Sequence, residues 1–384
     1  MFKSFFLAGF EGSTGYNLHR QWFDQVAATQ HDLFLDEDYR RLRDVGIFAA
    51  REAVRWPLVD RRGHYDFSSV QRVIEASQRH GIEIIYDLFH FGYPDNVDLF
   101  SKEFPRRFAQ YCYAAARYIA ERAPGVCYFT PVNEPSFFAW AAGEVGLFAP
   151  YLEGRGWELK ARLAEAAIHG INAIWTACPE ARIVNVDPLC RVCAPPHRPD
   201  LQWEVDNFNS NSVLQAWDIL SGRLLPELGG SKKHLGIIGV NYYWTNQWEW
   251  GRPGIPLGDD DPRRRSLREL LRFVWQRYGV EMLITETAHK GEMRPVWLRE
   301  MADEAEAALD EGIPLRGVCL YPILAMPEWH VRQEWTEMGL WDLVMADGTL
   351  QRVPYAPALE AFREAQRLEN HELHSGREPN RRAE

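Results

Sequence analysis

Two glutamates stand where predicted β-strands end, and paired carboxylates at such positions can do acid–base and nucleophilic chemistry. Glu134 follows Asn133 after the apolar run 126–132, and Glu286 ends the run 281–286. One carboxyl group can protonate a leaving oxygen while the other attacks carbon, which is the chemistry that cleaves a glycosidic bond. A single glutamate at a strand end is more often a salt-bridge partner or a helix cap. The prediction therefore depends on the pair and on its surroundings.

Aromatic side chains accumulate at the same predicted strand ends. The chain has 15 tryptophans in 384 residues, and 13% of its residues are aromatic. Those that follow predicted strands include Phe137, Phe138, Trp140, Trp244, Trp248, Trp250, Trp329 and Trp335. The flat C–H faces of pyranose rings pack on aromatic rings, while sugar hydroxyls bind carboxylates, amides and histidines. This combination predicts a carbohydrate as the partner of the site.

Short apolar runs alternate with stretches of helical period, and these elements must position the candidate residues. The predicted strands are 4–11, 47–56, 82–89, 126–132, 182–187, 236–243, 281–286 and 315–321. The predicted helices are 36–45, 68–80, 103–122, 157–178, about 204–221, 266–278, 295–311 and 355–368. This alternation predicts an α/β protein with a single (β/α)8 TIM barrel over residues 1–368.

An open doubly wound sheet is the alternative to the barrel. Such a sheet usually has a glycine-rich phosphate-binding turn after its first strand, and the segment Gly12-Ser13-Thr14-Gly15 is a weak match to one. Residues 369–384 are polar and lack an apolar period, so we expect a disordered tail there.

Charge and composition exclude several other classes of function. The formal net charge of −11 disfavours nucleic-acid binding. No run approaches the roughly 18 to 20 apolar residues of a membrane span, and the N-terminus lacks the features of a signal peptide, so a cytoplasmic location is expected. Cys190-x-x-Cys193 resembles half a zinc site, but no second ligand pair follows it. We therefore predict neither a metal nor a cofactor, and the sequence leaves the oligomeric state open.

Six segments resemble motifs of the family 1 glycoside hydrolases, which are β-glucosidase-like and β-galactosidase-like retaining enzymes. Thr130-Pro131-Val132-Asn133-Glu134-Pro135 is similar to their T-F-N-E-P motif, and Ile284-Thr285-Glu286-Thr287 to their I-T-E-N-G motif. The other four are Arg51 to Trp56 (R-F-S-I-S-W), His90 to Pro94 (H-W-D-L-P), Gly239 to Tyr243 (G-I-N-Y-Y) and Pro327 to Trp329 (the end of D-N-F-E-W). All six occur in the family's order and at matching barrel positions, so the resemblance runs from about residue 5 to 345.

The resemblance implies a retaining β-glycosidase that acts on a glucoside, a galactoside or a related sugar through a covalent intermediate. It implies that Glu134 is the general acid/base and Glu286 the nucleophile. Arg51 and Tyr243 should then contact the nucleophile, and Asn133 should bind the sugar 2-hydroxyl. Further sugar-binding positions are Glu11, His90, Trp244, Tyr321, Glu328 and Trp329.

The chain departs from the family pattern mainly around the sugar. Thr287 and Ala288 replace the asparagine and glycine after the nucleophile, and Gly92, Tyr321 and Ala325 replace an aspartate, a tryptophan and an aspartate. The catalytic pair is retained, so these changes bear on the substrate more than on the reaction. Two alternatives remain: a transglycosidase that uses the same intermediate, and a carbohydrate-binding barrel without catalysis.

Overall fold

Eight parallel strands close into a barrel in chain order, as the alternating pattern predicted. The computed structural model describes residues 2–368. The barrel strands are β1 (Phe6–Gly9), β2 (Ala49–Ala53), β3 (Glu83–Asp87), β4 (Tyr128–Thr130), β5 (Arg182–Pro188), β6 (Ile237–Asn241), β7 (Met282–Thr287) and β8 (Leu315–Leu320). β1 pairs in parallel with both β2 and β8 and so closes the ring. The predicted tail 369–384 lies outside the described residues.

Two apolar layers explain why the strands are almost uniformly hydrophobic. One layer fills the inside of the barrel, and the other lies between the strands and the helices. The inner layer contains Phe2, Leu7, Ala49, Ile85, Tyr128, Val184, Val186, Ile237, Leu283, Cys319 and Tyr321. Successive residues alternate between the layers, since Leu7 faces inward while Phe6 and Ala8 belong to the outer layer. This packing leaves the strand ends as the place where polar groups can gather.

The helices surround the barrel. They are α1 (His31–Asp44), α2 (Ser68–His80), α3 (Phe104–Ala120), α4 (Gly156–Ala177), α5 (Gln202–Ser210), α6 (Gln215–Leu220), α7 (Leu267–Tyr278), α8 (Arg294–Asp310) and α9 (Ala356–Ala365). Single turns occur at Gln25–Ala28, Trp56–Val59, Pro135–Phe138 and Lys232–Leu235. Helix α1 begins five residues before the predicted start. The predicted helix 204–221 is two helices, because Asn211 leaves the helical conformation at φ −129° and ψ −61°. Its side chain also donates to Asn207 Oδ1 at 2.9 Å.

An antiparallel hairpin that the periodicity did not predict follows β8 and joins the barrel through buried charges. Its strands are Trp341–Ala346 and Thr349–Pro354. Arg352 on the hairpin donates to both carboxylate oxygens of Asp38 on α1, at 2.8 and 2.9 Å. His31 Nδ1 lies 2.8 Å from Asp38 Oδ2, and His31 Nε2 lies 3.0 Å from Glu52 Oε1 on β2. These ion pairs connect the hairpin to the barrel wall.

The charge on His31 should make stability depend on pH. Both ring nitrogens face carboxylates, which fits the imidazolium form. Burial lowers the pKa of His31, but Glu52 and Asp38 outweigh it and raise the pKa from 6.5 to about 9. A histidine whose pKa is raised on folding stabilises the protein at pH values below its pKa in the unfolded state. This stabilisation is lost as the pH rises through its pKa in the folded state. We expect the free energy of unfolding to fall by a few kcal/mol between pH 6.5 and 9.

Urea titrations across this pH range measure the effect. In the His31→Gln variant, the pH-dependent loss should be largely absent, although the variant is less stable at pH 6. A wild-type free energy of unfolding that stays constant from pH 6.5 to 9 would contradict a charged His31.

Candidate active site

The polar side chains singled out in the sequence converge at the carboxyl-terminal mouth of the barrel, because all eight strands are parallel. Arg51 lies in β2, Glu134 follows β4, and Glu286 lies in β7. The two glutamates are separated around the ring by β5 and β6. Glu134 is 8% exposed and Glu286 is 4% exposed, so both carboxyl groups lie inside the mouth and away from bulk water.

Glu286 is held by a cation and a phenol. Its Oε1 accepts a hydrogen bond from Arg51 Nη1 at 3.0 Å, and its Oε2 accepts one from Tyr243 OH at 2.8 Å. Burial raises the pKa of Glu286, while Arg51, His90 and Tyr243 act against that rise. The contacts favour the charged carboxylate and fix its orientation. Arg51 and Tyr243 therefore both contact Glu286 directly.

Arg51 organises the floor of the mouth from a fully buried position. Its Nη1 also donates to the backbone oxygen of Thr285 at 2.7 Å, next to Glu286. Its Nη2 donates to Asp87 Oδ2 at 2.6 Å and to Asn133 Oδ1 at 3.0 Å. One guanidinium thus positions side chains from β3, the loop after β4 and β7. Sequence reasoning missed Asp87, although an acidic residue at the end of a predicted strand was a usable signal.

Glu134 has a different environment, with an amide as its hydrogen-bond partner. Asn241 Nδ2 donates to Glu134 Oε1 at 2.8 Å, and Thr285 Oγ1 donates to Asn241 Oδ1 at 2.7 Å, which orients the amide. Burial raises the pKa of Glu134 well above its usual value, the charge of Glu286 raises it further, and Asn241 acts against the rise. The protonated form of Glu134 is therefore favoured. Sequence reasoning did not single out Asn241 as a partner of this carboxyl group.

The backbone at Glu134 is strained and is held in place by Asp187. Glu134 has φ 49° and ψ 58°, a left-handed conformation that is costly for a residue with a Cβ. Asp187 at the end of β5 accepts hydrogen bonds from the Ser136 backbone N–H at 2.9 Å and from Ser136 Oγ at 2.5 Å. Burial raises the pKa of Asp187 to about 6, so it is charged at neutral pH. Neither Asp187 nor Ser136 was predicted as a site residue.

Replacing Asp187 with asparagine should change the pH dependence of any reaction that needs protonated Glu134. The negative charge of Asp187 contributes to the raised pKa of Glu134, after burial and Glu286. Its removal should therefore move the basic limb of the kcat/KM profile to lower pH. The acidic limb, which reports Glu286, should move less. Asp200→Asn, at an exposed position, is the control; an unshifted basic limb in Asp187→Asn would contradict the coupling.

Glu11, Tyr321 and His90 follow β1, β8 and β3 at the mouth of the barrel. Asn133 Oδ1 accepts from Arg51, so its Nδ2 donates to His90 Nε2 at 3.1 Å and the ring proton lies on Nδ1, 3.6 Å from an oxygen of Asp87. The Tyr321 ring lies nearly parallel to the His90 ring, with centroids 6.1 Å apart. Glu11 is 7% exposed. These three predicted sugar-binding residues are therefore buried within the mouth.

The remaining predicted sugar-binding residues have different surroundings. Trp329 donates from its indole N–H to Ser13 Oγ at 3.0 Å, and its ring forms an aromatic wall together with Phe91, Phe137 and Phe148. Trp244 is half-buried, and its ring centroid lies 4.4 Å from that of His289.

Glu328 does not reach the buried site. The pairing of Met326–Pro327 with Trp335–Thr336 brings Thr336 beside it, and Glu328 is exposed and accepts a hydrogen bond from that hydroxyl.

Comparison with known proteins identifies the fold. No family model and no curated protein matches the sequence. A family 1 β-glucosidase from Thermotoga maritima superimposes with a TM-score of 0.73 over 94% of this chain and 98% of that chain, at 15% identity. The chain has the fold of the family 1 β-glucosidases. The AHE enzyme from Alicyclobacillus herbarius is also similar, with a TM-score of 0.75 over 96% of this chain and 100% of that chain, at 16% identity.

The similarity extends over nearly the whole length of both chains. The Thermotoga maritima enzyme in complex with isofagomine lactam superimposes with a TM-score of 0.75, covering 95% of this chain and 97% of that chain, at 15% identity. Within residues 2–368, no helix is both long and apolar enough to cross a membrane.

The described part of the chain also contains no group of three or more His, Cys, Asp and Glu side chains arranged to hold a metal. Cys190 and Cys193 are free thiols, and the Cys190 sulfur accepts a hydrogen bond from Asn246 at 3.5 Å.

Proposed function

We propose that the protein is a retaining β-glycosidase that hydrolyses a β-linked glycoside by double displacement. The observation that carries this proposal is the contrast between two buried carboxyl groups at one barrel mouth. Glu286 is bound by the Arg51 guanidinium and the Tyr243 phenol, whereas Glu134 is bound by the Asn241 amide. The pKa is raised at both groups but well above its usual value only at Glu134, and such a separation suits a nucleophile and a general acid. The family 1 β-glucosidase fold supports the same assignment.

In the first step, a carboxylate oxygen of Glu286 attacks the anomeric carbon while the bond from that carbon to the leaving oxygen breaks. Glu134 transfers its proton to the leaving oxygen, so the aglycone departs as a neutral alcohol. Asn133 has one amide hydrogen bonded to His90, and its other amide hydrogen is available to the sugar 2-hydroxyl. A hydrogen bond there strengthens as positive charge develops on the ring.

In the second step, water displaces Glu286. Forming the glycosyl ester removes the negative charge of Glu286, and this charge contributes to the raised pKa of Glu134. The deprotonated Glu134 then takes a proton from water, the water oxygen bonds to the anomeric carbon, and the bond to Glu286 breaks. The sugar is released with its original β configuration, and Glu134 is protonated again.

A panel of nitrophenyl α- and β-glycosides, followed by proton NMR, tests the proposal. We expect turnover of β-glycosides and a first-formed hemiacetal in the β configuration. A first-formed α-hemiacetal would show inversion and contradict the double displacement. Sugar binding without turnover of any β-glycoside would favour the carbohydrate-binding barrel instead.

A transglycosidase is the second candidate, and an aromatic surface after β5 and β6 favours it. Trp203 is 73% exposed, and the Phe208 ring lies 6.0 and 5.9 Å from the rings of Trp248 and Trp250. Such rings could bind a sugar acceptor that replaces water in the second step. Product analysis with and without added oligosaccharide acceptors separates the candidates, because only a transglycosidase would yield mainly glycosylated acceptor.

A further inference from the structure

Glu11 is a third carboxylate in the mouth, and neither step of the proposed reaction uses it. It follows β1, and its side chain is 7% exposed. Its Oε1 accepts a hydrogen bond from the Ser13 backbone N–H at 3.0 Å, whereas its Oε2 accepts none from residues 2–368. The N–H of the neighbouring Gly12 donates to Tyr321 OH at 3.2 Å, and Ser13 Oγ accepts from the Trp329 indole at 3.0 Å, so Glu11 lies among residues that line the mouth. Its charge also acts on Glu286 and His90. A largely buried carboxylate with a single hydrogen-bond donor gains from a ligand that donates to its second oxygen.

The charges around this space do not balance. Glu11, Asp87 and Glu286 are carboxylates, and the cation that pairs with them among the described residues is Arg51. The Arg51 Nη atoms are already bonded to Asp87 and Glu286, so none of them reaches Glu11. His90 accepts the Asn133 amide at Nε2, which fits the neutral ring, and a protonated His90 would offset only one charge. The sugar pocket is therefore negative before the substrate enters.

We propose that the sugar bound next to Glu286 is an amino sugar, whose ammonium group pairs with Glu11. This inference rests on the proposed glycosidase function. An ammonium group would donate a hydrogen bond to Glu11 Oε2 and would also offset the excess negative charge. A hydroxyl group would donate the hydrogen bond without offsetting the charge. The attraction is strong because the site is shielded from water. Glu11 is across the barrel from the acid/base side, so the amine belongs on a ring carbon remote from the leaving group.

Substrates that differ by one charge test this. The probes are 4-nitrophenyl β-glucoside and its analogues in which the C2, C3, C4 or C6 hydroxyl is replaced by an amine, assayed below the pKa of that amine. We expect the C3, C4 or C6 amine, but not the C2 amine, to exceed the glucoside in kcat/KM by about tenfold or more. Glu11→Gln keeps the shape but removes the charge, so it should reduce that preference by about tenfold or more and slow the glucoside less. Asp95→Asn, at an exposed position, should keep the wild-type preference.

The outcomes separate this inference from the proposed function. Turnover of the glucoside with no preferred amine analogue in the wild type would overturn the amino-sugar inference and leave the glycosidase standing. An equal loss for both substrates in Glu11→Gln would mean that Glu11 binds neutral hydroxyls, which also overturns it. Absence of turnover of every probe, together with no covalent labelling of Glu286 by a 2-fluoro glycosyl reagent, would overturn both. The wild-type comparison decides the question even if Glu11→Gln does not fold.

Discussion

Replacing Glu286 with alanine should reduce kcat for β-glycosides by about 10⁴-fold or more, with the fold intact. The variant lacks the carboxylate that attacks the anomeric carbon. Among residues 2–368, no other carboxylate at the mouth accepts hydrogen bonds from both a guanidinium and a phenol. Arg51 keeps its contacts to Asp87 and Asn133, so the floor of the mouth should persist. Steady-state kinetics with circular dichroism measures both the loss and the fold.

Azide provides the sharper readout for this variant. The alanine leaves space for azide beside the anomeric carbon, on the face from which Glu286 attacks. Azide should therefore restore turnover of an activated β-glycoside and give the α-glycosyl azide, since one displacement inverts the configuration. Asp95→Asn serves as a rim control with near-normal rates. Wild-type turnover in Glu286→Ala would rule out its role as nucleophile.

Replacing Glu134 with alanine should reduce the rate by an amount that depends on the leaving group. An alkyl glycoside needs a proton on its departing oxygen, so it should lose about 10² to 10⁴-fold in kcat/KM. A 2,4-dinitrophenyl glycoside leaves without that proton, so its loss in kcat/KM should be much smaller. Its glycosyl-enzyme intermediate should accumulate, because Glu134 is also needed to activate water. Burst kinetics with the two substrates measures this difference.

Azide again distinguishes the two glutamates. In Glu134→Ala, azide attacks the intermediate on Glu286 from the side of the missing base, so the product should be the β-glycosyl azide. An α-glycosyl azide from this variant would mean that the two roles are exchanged. Equal losses for alkyl and dinitrophenyl substrates would contradict proton transfer by Glu134.

In the proposed mechanism, Glu134 and Glu286 depend on two carboxylates that do not themselves react, Asp187 and Glu11. Asp187 positions the turn after Glu134 through Ser136. Glu11 adds negative charge beside Glu286 and acts against its ionisation. A bound cation at Glu11 would relieve that effect. A sugar whose ammonium group pairs with Glu11 would therefore also favour the ionised form of Glu286.

Several features could not be read from local sequence patterns. The hairpin that carries Arg352 had a local signal in Asp347-Gly348 at its turn, but the pairing of Arg352 with Asp38, 314 residues away, had none. Glu328 lies in a family-like segment, yet its rim pairing leaves it exposed beside Thr336. Asp87 and Asn241 are strand-end residues whose importance depends on Arg51 and Glu134 reaching them.

The sequence by itself determined the barrel and pointed to the pair Glu134 and Glu286. Apolar runs with a strand or helix period are local properties of the sequence. Parallel strands in a barrel then bring their carboxyl ends together, whichever side chains those ends carry. Only the tertiary structure decided how each carboxyl group is charged and oriented, because Arg51 and Glu286 are 235 residues apart in the chain and 3.0 Å apart in space. Whether a carboxyl group is protonated depends on such distances and on its burial, and a short stretch of sequence specifies neither.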